Sequence, residues 1–323
     1  MLPIKSKSTG LTTSRETTQA ISRIDKSSWK DPMSELLLAW DRAPAFLDCV
    51  PQNTFGQAPA FLKEGPTTLR TLVTAPADWA GLGSILHGGF QALLLDDIMC
   101  RVITGLANGG MAVSQELTLR YHRPVQVDRP ISLFGYLVED QQQQIVTCAE
   151  IKDTQGSLLT EADGIFSRTE PENTQTEVGE NTAWNDAQPD FVSLTHWPAW
   201  PACCKGPLER LWNLHVDWRL APDHSALGGR LHFPPALRQI PAAGVLAALF
   251  DQALGLLGRV QGHGVLLTVR LQVTLYGQLP IDEELILLGR GYRRQAGPFK
   301  ATAWLQRQNS LVAEATGNFS VLS

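Results

Sequence analysis

The sequence predicts an α+β protein in which one long helix is wrapped by a curled antiparallel sheet, and this unit occurs twice. Two apolar runs, 88–106 and 242–260, are each long enough for a helix of about 28 Å and are apolar on nearly every side, which is typical of a buried helix. Segments with period-two alternation follow each run, as in antiparallel strands. Residues 157–167 and 310–320 share seven identical positions, which indicates an internal repeat.

The repeated blocks keep their order along the chain while their spacing changes by one residue at a time. The last block matches at an offset of 153, residues 117–135 match 271–289 at 154, and the two helices match at 155. In the first repeat we expect strands near 113–121, 131–138, 145–151 and 159–167.

These matches divide the chain into four expected segments. Residues 1–42 form an N-terminal tail, 43–168 the first repeat, 169–196 an acidic linker, and 197–323 the second repeat. Because the repeats are similar and adjacent, we interpret them as a fused dimer rather than as two independent domains.

Composition excludes several classes of protein. The 323 residues are 43% hydrophobic with a net charge of -5, so there is apolar material for a core but no basic field for nucleic acid. We expect no membrane span, because the longest uncharged stretch of the first half is interrupted by glycines. Five cysteines without a paired spacing predict reduced thiols and a cytoplasmic location.

The tripeptide His87-Gly88-Gly89 stands where the first helix begins. N–H groups in the first turn of a helix have no helical partner, and glycine lets a ligand approach them. The tripeptide therefore predicts a site for a negatively polarised oxygen. Glycine used only for close packing against a strand is an equally good reading of these three residues.

Each apolar helix contains one aspartate that lacks an evident partner. Asp96 and Asp251 lie at matching positions, and their neighbours three and four residues away are apolar. A buried carboxylate without a cation is costly and tends to have a raised pKa and a function. Asp97, by contrast, has Arg101 one turn on as an ion-pair partner. The alternative is that Asp96 and Asp251 cap backbone groups across an interface.

Beyond these residues, the motif His-Gly-Gly-x6-Asp-Asp at 87–97, followed by Val113-Ser114 and by Leu-Arg-Tyr-His-Arg-Pro-Val at 119–125, resembles the hot-dog-fold acyl-CoA thioesterases. The similarity is to the phenylacetate-pathway and 4-hydroxybenzoyl-CoA thioesterase types, and it covers most of the first repeat. The second repeat has the layout of this family but Ala242-Ala243-Gly244 in place of His-Gly-Gly. Together the repeats resemble a tandem, or double, hot dog.

The resemblance implies roles for three residues of each repeat. A backbone N–H after the His binds the thioester carbonyl, the helix acid is nucleophile or general base, and a hydroxyl in the next strand assists. These roles fall on Gly88, Asp96 and Ser114 in the first repeat. They fall on Ala243, Asp251 and Thr268 in the second repeat.

Geometry decides which of these residues share a site. Gly88 and Asp96 are about 12 Å apart along one helix, so one thioester carbon cannot contact both. We therefore expect each acid to face the helix start of the opposite repeat. Site one combines His87 and Gly88 with Asp251 and Thr268, and site two combines Ala243 with Asp96 and Ser114.

The predicted activity is hydrolysis of an acyl-CoA or related thioester, with no metal and no cofactor. Site one is the better candidate for turnover because site two lacks the histidine. A non-catalytic acyl-CoA-binding protein is the first alternative, and a hot-dog hydratase or dehydratase is the second. Family dimers also imply a homodimer of double hot dogs. Further substrate-binding candidates are Gly89, Ala243, Gly244 and Arg123.

Overall fold

A computed structural model describes the greater part of the chain. The described residues are 35–37, 46–49, 59–107, 112–168, 192–194, 206–293, 297–308 and 310–322.

The strands of the first half follow the alternation of the sequence, as in Thr68–Thr74, where buried and exposed residues alternate toward the end. They are β1 (Glu35–Leu37), β2 (Phe61–Lys63), β3 (Thr68–Thr74), β4 (Ala80–Leu82), β5 (Ile85–Leu86), β6 (Val113–Tyr121), β7 (Pro130–Asp140), β8 (Gln144–Lys152) and β9 (Leu158–Ser167).

The second half contains a corresponding series. Its strands are β10 (Val192–Ser193), β11 (Val216–Leu220), β12 (Ala226–His232), β13 (Val265–Leu275), β14 (Glu284–Arg293), β15 (Phe299–Arg307) and β16 (Ser310–Leu322). The helices of both halves are α1 (Phe46–Cys49), α2 (Gly88–Leu106), α3 (Pro207–Trp212) and α4 (Ala242–Val260).

Two short strands lie within the segments expected to be a tail and a linker. Strand β1, placed in the N-terminal tail, pairs with β2, and β10, placed in the acidic linker, pairs with β11. Both occupy the outer edges of the sheet, where an extended segment finds unpaired N–H and C=O groups. Most other residues of the expected tail and linker lie outside the described residues.

All strands except β4 and β5 form one fourteen-stranded antiparallel sheet, in the order β1-β2-β3-β7-β8-β9-β6-β13-β16-β15-β14-β12-β11-β10. The order is symmetric about the β6–β13 pair, so that each strand of the first half has a counterpart at the same distance from the centre. At this centre Thr118 lies opposite Gln272, the residue 154 positions further along the chain.

Local irregularities recur at the same interval. The register of β6 against β9 shifts after Ser114, and the register of β13 against β16 shifts after Thr268. Asp128 and Asp282 both have positive φ angles, of 56° and 64°. These shared irregularities place the hydroxyls of Ser114 and Thr268 at equivalent points of their strands.

The helices α2 and α4 pack against each other and against the sheet, and most of their residues are buried. Helix α4 is long and apolar enough to cross a membrane, but 83% of its apolar window is buried inside the protein, as in a core helix. The start of α2 is anchored by Phe90, whose ring stacks on Trp79 at 4.2 Å between centroids.

The two helices run antiparallel at close range. A Cβ on Gly89 would lie 3.0 Å from the Cα of Ala248, and a Cβ on Gly244 would lie 3.3 Å from the Cα of Leu93. Such an approach of two backbones requires glycine. As a result, the N-terminus of each helix faces the middle of the other, where the aspartates lie.

Candidate active site

The strand-to-helix junction before α2 holds His87 in place. The N–H of Leu86 donates to the carbonyl of Val125 at 2.7 Å, and the N–H of His87 donates to the carbonyl of Trp79 at 3.1 Å. His87 is the N-cap of α2, and its Nδ1 accepts a hydrogen bond from the N–H of Gly89 at 3.0 Å. The side chain thereby replaces one of the missing helical acceptors.

A buried amide supports this junction from within. The Nε2 of Gln91 donates to the carbonyl of Leu86 at 2.9 Å, and the hydroxyl of Thr160 donates to the Oε1 of Gln91 at 2.5 Å. The pair ties the first turn of α2 both to β5 and to β9. Sequence reasoning missed Gln91, although it is the only amide among the apolar residues of this helix.

Asp251 of α4 lies against the N-terminus of α2. Its Oδ2 is 3.4 Å from the Nδ1 of His87, and a Cβ added to Gly88 would lie only 2.9 Å from the same oxygen. The absence of a side chain at Gly88 is therefore what allows the carboxylate to approach the helix start. The partial positive charge of that helix start stabilises the carboxylate.

The hydroxyl of Thr268 on β13 completes this group. It donates a hydrogen bond of 2.5 Å to the Oδ1 of Asp251, which orients the carboxylate and leaves Oδ2 directed toward Gly88 and His87. The structure thus brings together His87, Gly88, Asp251 and Thr268, the four residues grouped as site one.

Burial lowers the pKa of the His87 imidazole below its usual value; Asp251 opposes this and Arg210 adds to it. The imidazole is therefore neutral near pH 7. Because Nδ1 accepts the Gly89 N–H, the proton of the neutral ring is on Nε2. The contact between His87 and Asp251 is thus not an ion pair.

A cavity of about 340 Å³ opens onto these residues. This volume is at the lower end of the range for small-molecule sites. Its lining combines backbone and side chains from both halves of the chain. The lining includes Leu82, Leu86, His87, Gly88, Tyr121, Arg123, Asp251, Gly255, Leu266 and Thr268.

Tyr121, at the end of β6, is a second residue that sequence reasoning missed. Its hydroxyl donates to the carbonyl of Gly88 at 3.1 Å, and burial and then Asp251 raise the pKa of the phenol well above its usual value. Tyr121 therefore remains a hydrogen-bond donor and holds the first turn of α2. Its place in the Tyr-His-Arg-Pro segment beside the site was the available signal.

Site two is built differently. The Oδ2 of Asp96 accepts a hydrogen bond of 2.5 Å from the N–H of Gly244, the residue after Ala243, whose own N–H was assigned to the thioester carbonyl. The N-cap of α4 is Pro241, whose side chain makes no capping hydrogen bond. The N–H of Gly244 therefore bonds to Asp96 instead. Gly244, without a Cβ, is the residue that lets Asp96 approach.

The second hydroxyl does not assist Asp96 in the way expected. Among the described residues no group is hydrogen-bonded to the Oδ1 of Asp96, so Ser114 is not its partner, although it is buried. Asp96 is fully buried and lines neither of the cavities of about 340 and 650 Å³. Burial raises the pKa of Asp96 to about 7; the Gly244 N–H lowers it and Asp97 raises it.

The other predicted residues have varied surroundings. Asp97 forms the expected ion pair with Arg101, at 2.9 Å, and Arg123 is exposed at the edge of the cavity. Gly89 lines no described cavity, but binds His87 through its N–H. Within the described part of the chain, no group of three or more His, Cys, Asp or Glu is arranged to hold a metal ion.

Residues 83–160 match the family model of the thioesterase superfamily. The matched segment is about a quarter of the chain. It contains His87, Gly88 and Tyr121 of the site, whereas Asp251 and Thr268 lie beyond it. No curated protein sequence matches the chain.

Solved structures extend the likeness to most of the chain. A proposed thioesterase from Novosphingobium aromaticivorans is 14% identical with a TM-score of 0.59, covering 81% of this chain and 98% of its own. A hot-dog protein of unknown function from Alicyclobacillus acidocaldarius is 17% identical with a TM-score of 0.56, over 82% and 96%. An acyl-CoA thioesterase II from Mycobacterium marinum is 14% identical with a TM-score of 0.51, over 81% and 95%. The fold of this chain is thus that of the hot-dog proteins.

Proposed function

We propose that the chain hydrolyses acyl-CoA or related acyl thioesters at site one. The observation that carries this proposal is the approach of the Asp251 carboxylate to the start of α2 beside a cavity. A carboxylate next to the N–H of Gly88 at a helix start provides both a base and a hydrogen-bond donor for a carbonyl group. The thioesterase named from Mycobacterium marinum acts on acyl-CoA, and its likeness to this chain supports the same substrate class.

In this mechanism, the thioester carbonyl oxygen accepts the N–H of Gly88, which stabilises the negative charge that develops during attack. The Oδ2 of Asp251 removes a proton from a water molecule as its oxygen bonds to the carbonyl carbon. The carbon–sulfur bond then breaks, and the thiolate takes up a proton. The products are the free acid and the thiol.

The surrounding residues prepare these groups for the reaction. The hydroxyl of Thr268 orients the carboxylate through Oδ1. Tyr121 and Gln91 hold the first turn of α2, and the Nδ1 of neutral His87 accepts the N–H of Gly89. These hydrogen bonds place the acid and the N–H donor in a preorganised arrangement.

We also propose that the fold is a double hot dog formed by the two repeats, 43–168 and 197–323, each with a central helix. The symmetric strand order about β6–β13 and the pairing of Thr118 with Gln272 support this proposal. A residue that pairs with its own equivalent lies on a two-fold axis. The homodimer and the cytoplasmic location remain predictions.

Thiol release from acyl-CoA esters tests the activity. We expect the full chain to release thiol from at least one ester of a panel with short, medium and aromatic acyl groups. Binding of acyl-CoA without thiol release would show an acyl-CoA-binding protein instead. Conversion of an enoyl-CoA to its hydrated product would show the hydratase reaction.

Replacing Gly88 with alanine should lower kcat/KM about 10²-fold, the scale of a displacement near 1 Å. The added Cβ would lie 2.9 Å from the Oδ2 of Asp251, so the carboxylate must move away from its position. Alanine is favourable in a helix, and the melting temperature should therefore not fall. Unchanged kcat/KM would show that the contact between Gly88 and Asp251 has no part in the reaction.

A further inference from the structure

Helix α4 contains a glycine inside its helical span, one turn after Asp251. A glycine there makes a helix less stable than alanine does, and at Gly258 of the same helix close packing explains it, since a Cβ would lie 2.1 Å from Leu266. At Gly255 no such reason exists, because a Cβ would meet no atom within 4 Å. The space above Gly255 is therefore open.

The open space belongs to the cavity of site one. Asp251, Gly255 and Arg259 all line the cavity, as expected for residues four apart on one face of a helix. From Asp251 to Arg259 this face measures about 12 Å. A side chain at position 255 would stand in the middle of this length.

The walls near Gly255 differ in chemistry from the cavity edge. Leu256 on α4 and Leu266 and Leu267 on β13 are apolar lining residues, whereas His122 and Arg123 are exposed and belong to the turn after β6. An apolar limb of a substrate is favoured along the first group. A polar, anionic limb is favoured beside the second.

The other half of the chain provides a comparison. By the offset of the two helices, the counterpart of Gly255 is Cys100, which follows Asp96 by one turn. There a side chain occupies the position, and Asp96 lines neither described cavity. Glycine is thus found one turn after Asp251, which lines a cavity, and cysteine one turn after Asp96, which does not.

We propose that Gly255 is the residue that determines acyl-chain length, and that site one accepts unbranched, medium-length apolar acyl groups that extend from Asp251 over Gly255. This inference rests on the proposed thioesterase function. The acyl limb lies over Gly255 with its thioester carbon at Asp251, and the thiol limb leaves past His122 and Arg123.

The test is a size series, Gly255→Ala, Gly255→Val and Gly255→Leu, assayed against propionyl-CoA and octanoyl-CoA. We expect the ratio of kcat/KM for octanoyl to propionyl to fall with each step, and at least tenfold for Gly255→Leu. A constant ratio in variants with a native-like circular dichroism spectrum would overturn the proposal. Because alanine adds only a methyl group, Gly255→Ala keeps the series informative if the larger variants do not fold.

Octanoyl-N-acetylcysteamine and propionyl-N-acetylcysteamine identify the limb that lies over Gly255. The same fall in ratio with this small thiol supports the acyl assignment, whereas a loss restricted to the CoA esters shows that the thiol limb lies there and overturns it. If the parent chain cleaves none of these esters, the hydrolase proposal fails. Chain-length dependence of binding, measured by thermal shift with the same CoA esters, then decides the role of Gly255 separately.

Discussion

Asp251→Asn is expected to lower kcat for thioester hydrolysis by about 10²–10⁴-fold, the range for loss of a general base. The amide keeps the shape of the side chain but cannot accept a proton from water. Asp96→Asn, the matched substitution in the other half, should change kcat less than threefold, since Asp96 is buried away from the cavity. Initial rates of thiol release on the best ester measure both.

The pair of variants separates the two sites. Loss of activity in Asp96→Asn alone would show that site two is the catalytic one. Equal activity in both variants and the parent would remove both aspartates from the reaction. Circular dichroism on each protein confirms that differences in rate arise from a folded enzyme.

The free energy of unfolding should decrease as the pH rises from 4 to 7, because of Asp96. The pKa of this carboxyl is about 7 in the folded protein, against 3.8 for an aspartate in water. Over this range the folded state binds more protons than the unfolded state, so raising the pH favours unfolding. The full loss is on the order of 4 kcal/mol and is present above pH 7.

The pH-dependent component should be absent in Asp96→Asn. Urea unfolding at pH 4.5, 6 and 8 should show the free energy of the parent falling relative to this variant. Asp128→Asn is a suitable control, because Asp128 is exposed and asparagine tolerates its positive φ. If the parent and Asp96→Asn keep parallel pH profiles, Asp96 is ionised in the folded protein at all three pH values.

Much of the fold could be predicted from periodicity alone. The bounds of α2 and α4 agree with the apolar runs 88–106 and 242–260, because burial on nearly every side makes most residues of each helix apolar. The antiparallel pairing of the helices was predicted from a distance. Because Gly88 and Asp96 are about 12 Å apart along one helix, each acid must face the N-terminus of the opposite helix. In the structure the carboxylate of Asp251 lies beside Gly88.

Other features depend on tertiary contacts that no local pattern contains. The N–H of Gly244 binds Asp96 because the N-cap Pro241 offers no side-chain acceptor, whereas the N–H of its counterpart Gly89 is taken by His87. Gln91 and Tyr121 act through backbone carbonyls, for which a sequence gives no partner. The strands β1 and β10 depend on which sheet edges are available.

The continuous sheet across β6 and β13 has a consequence for how the protein behaves at low concentration. Gly88 and Asp251 come from opposite sides of that pairing, yet one polypeptide connects them. The encounter that assembles the site is therefore intramolecular, with an effective concentration set by the chain itself. Specific activity at site one should accordingly be independent of dilution, unlike that of a site shared between separable subunits. Mixing the protein with an inactive variant should form no hybrid sites.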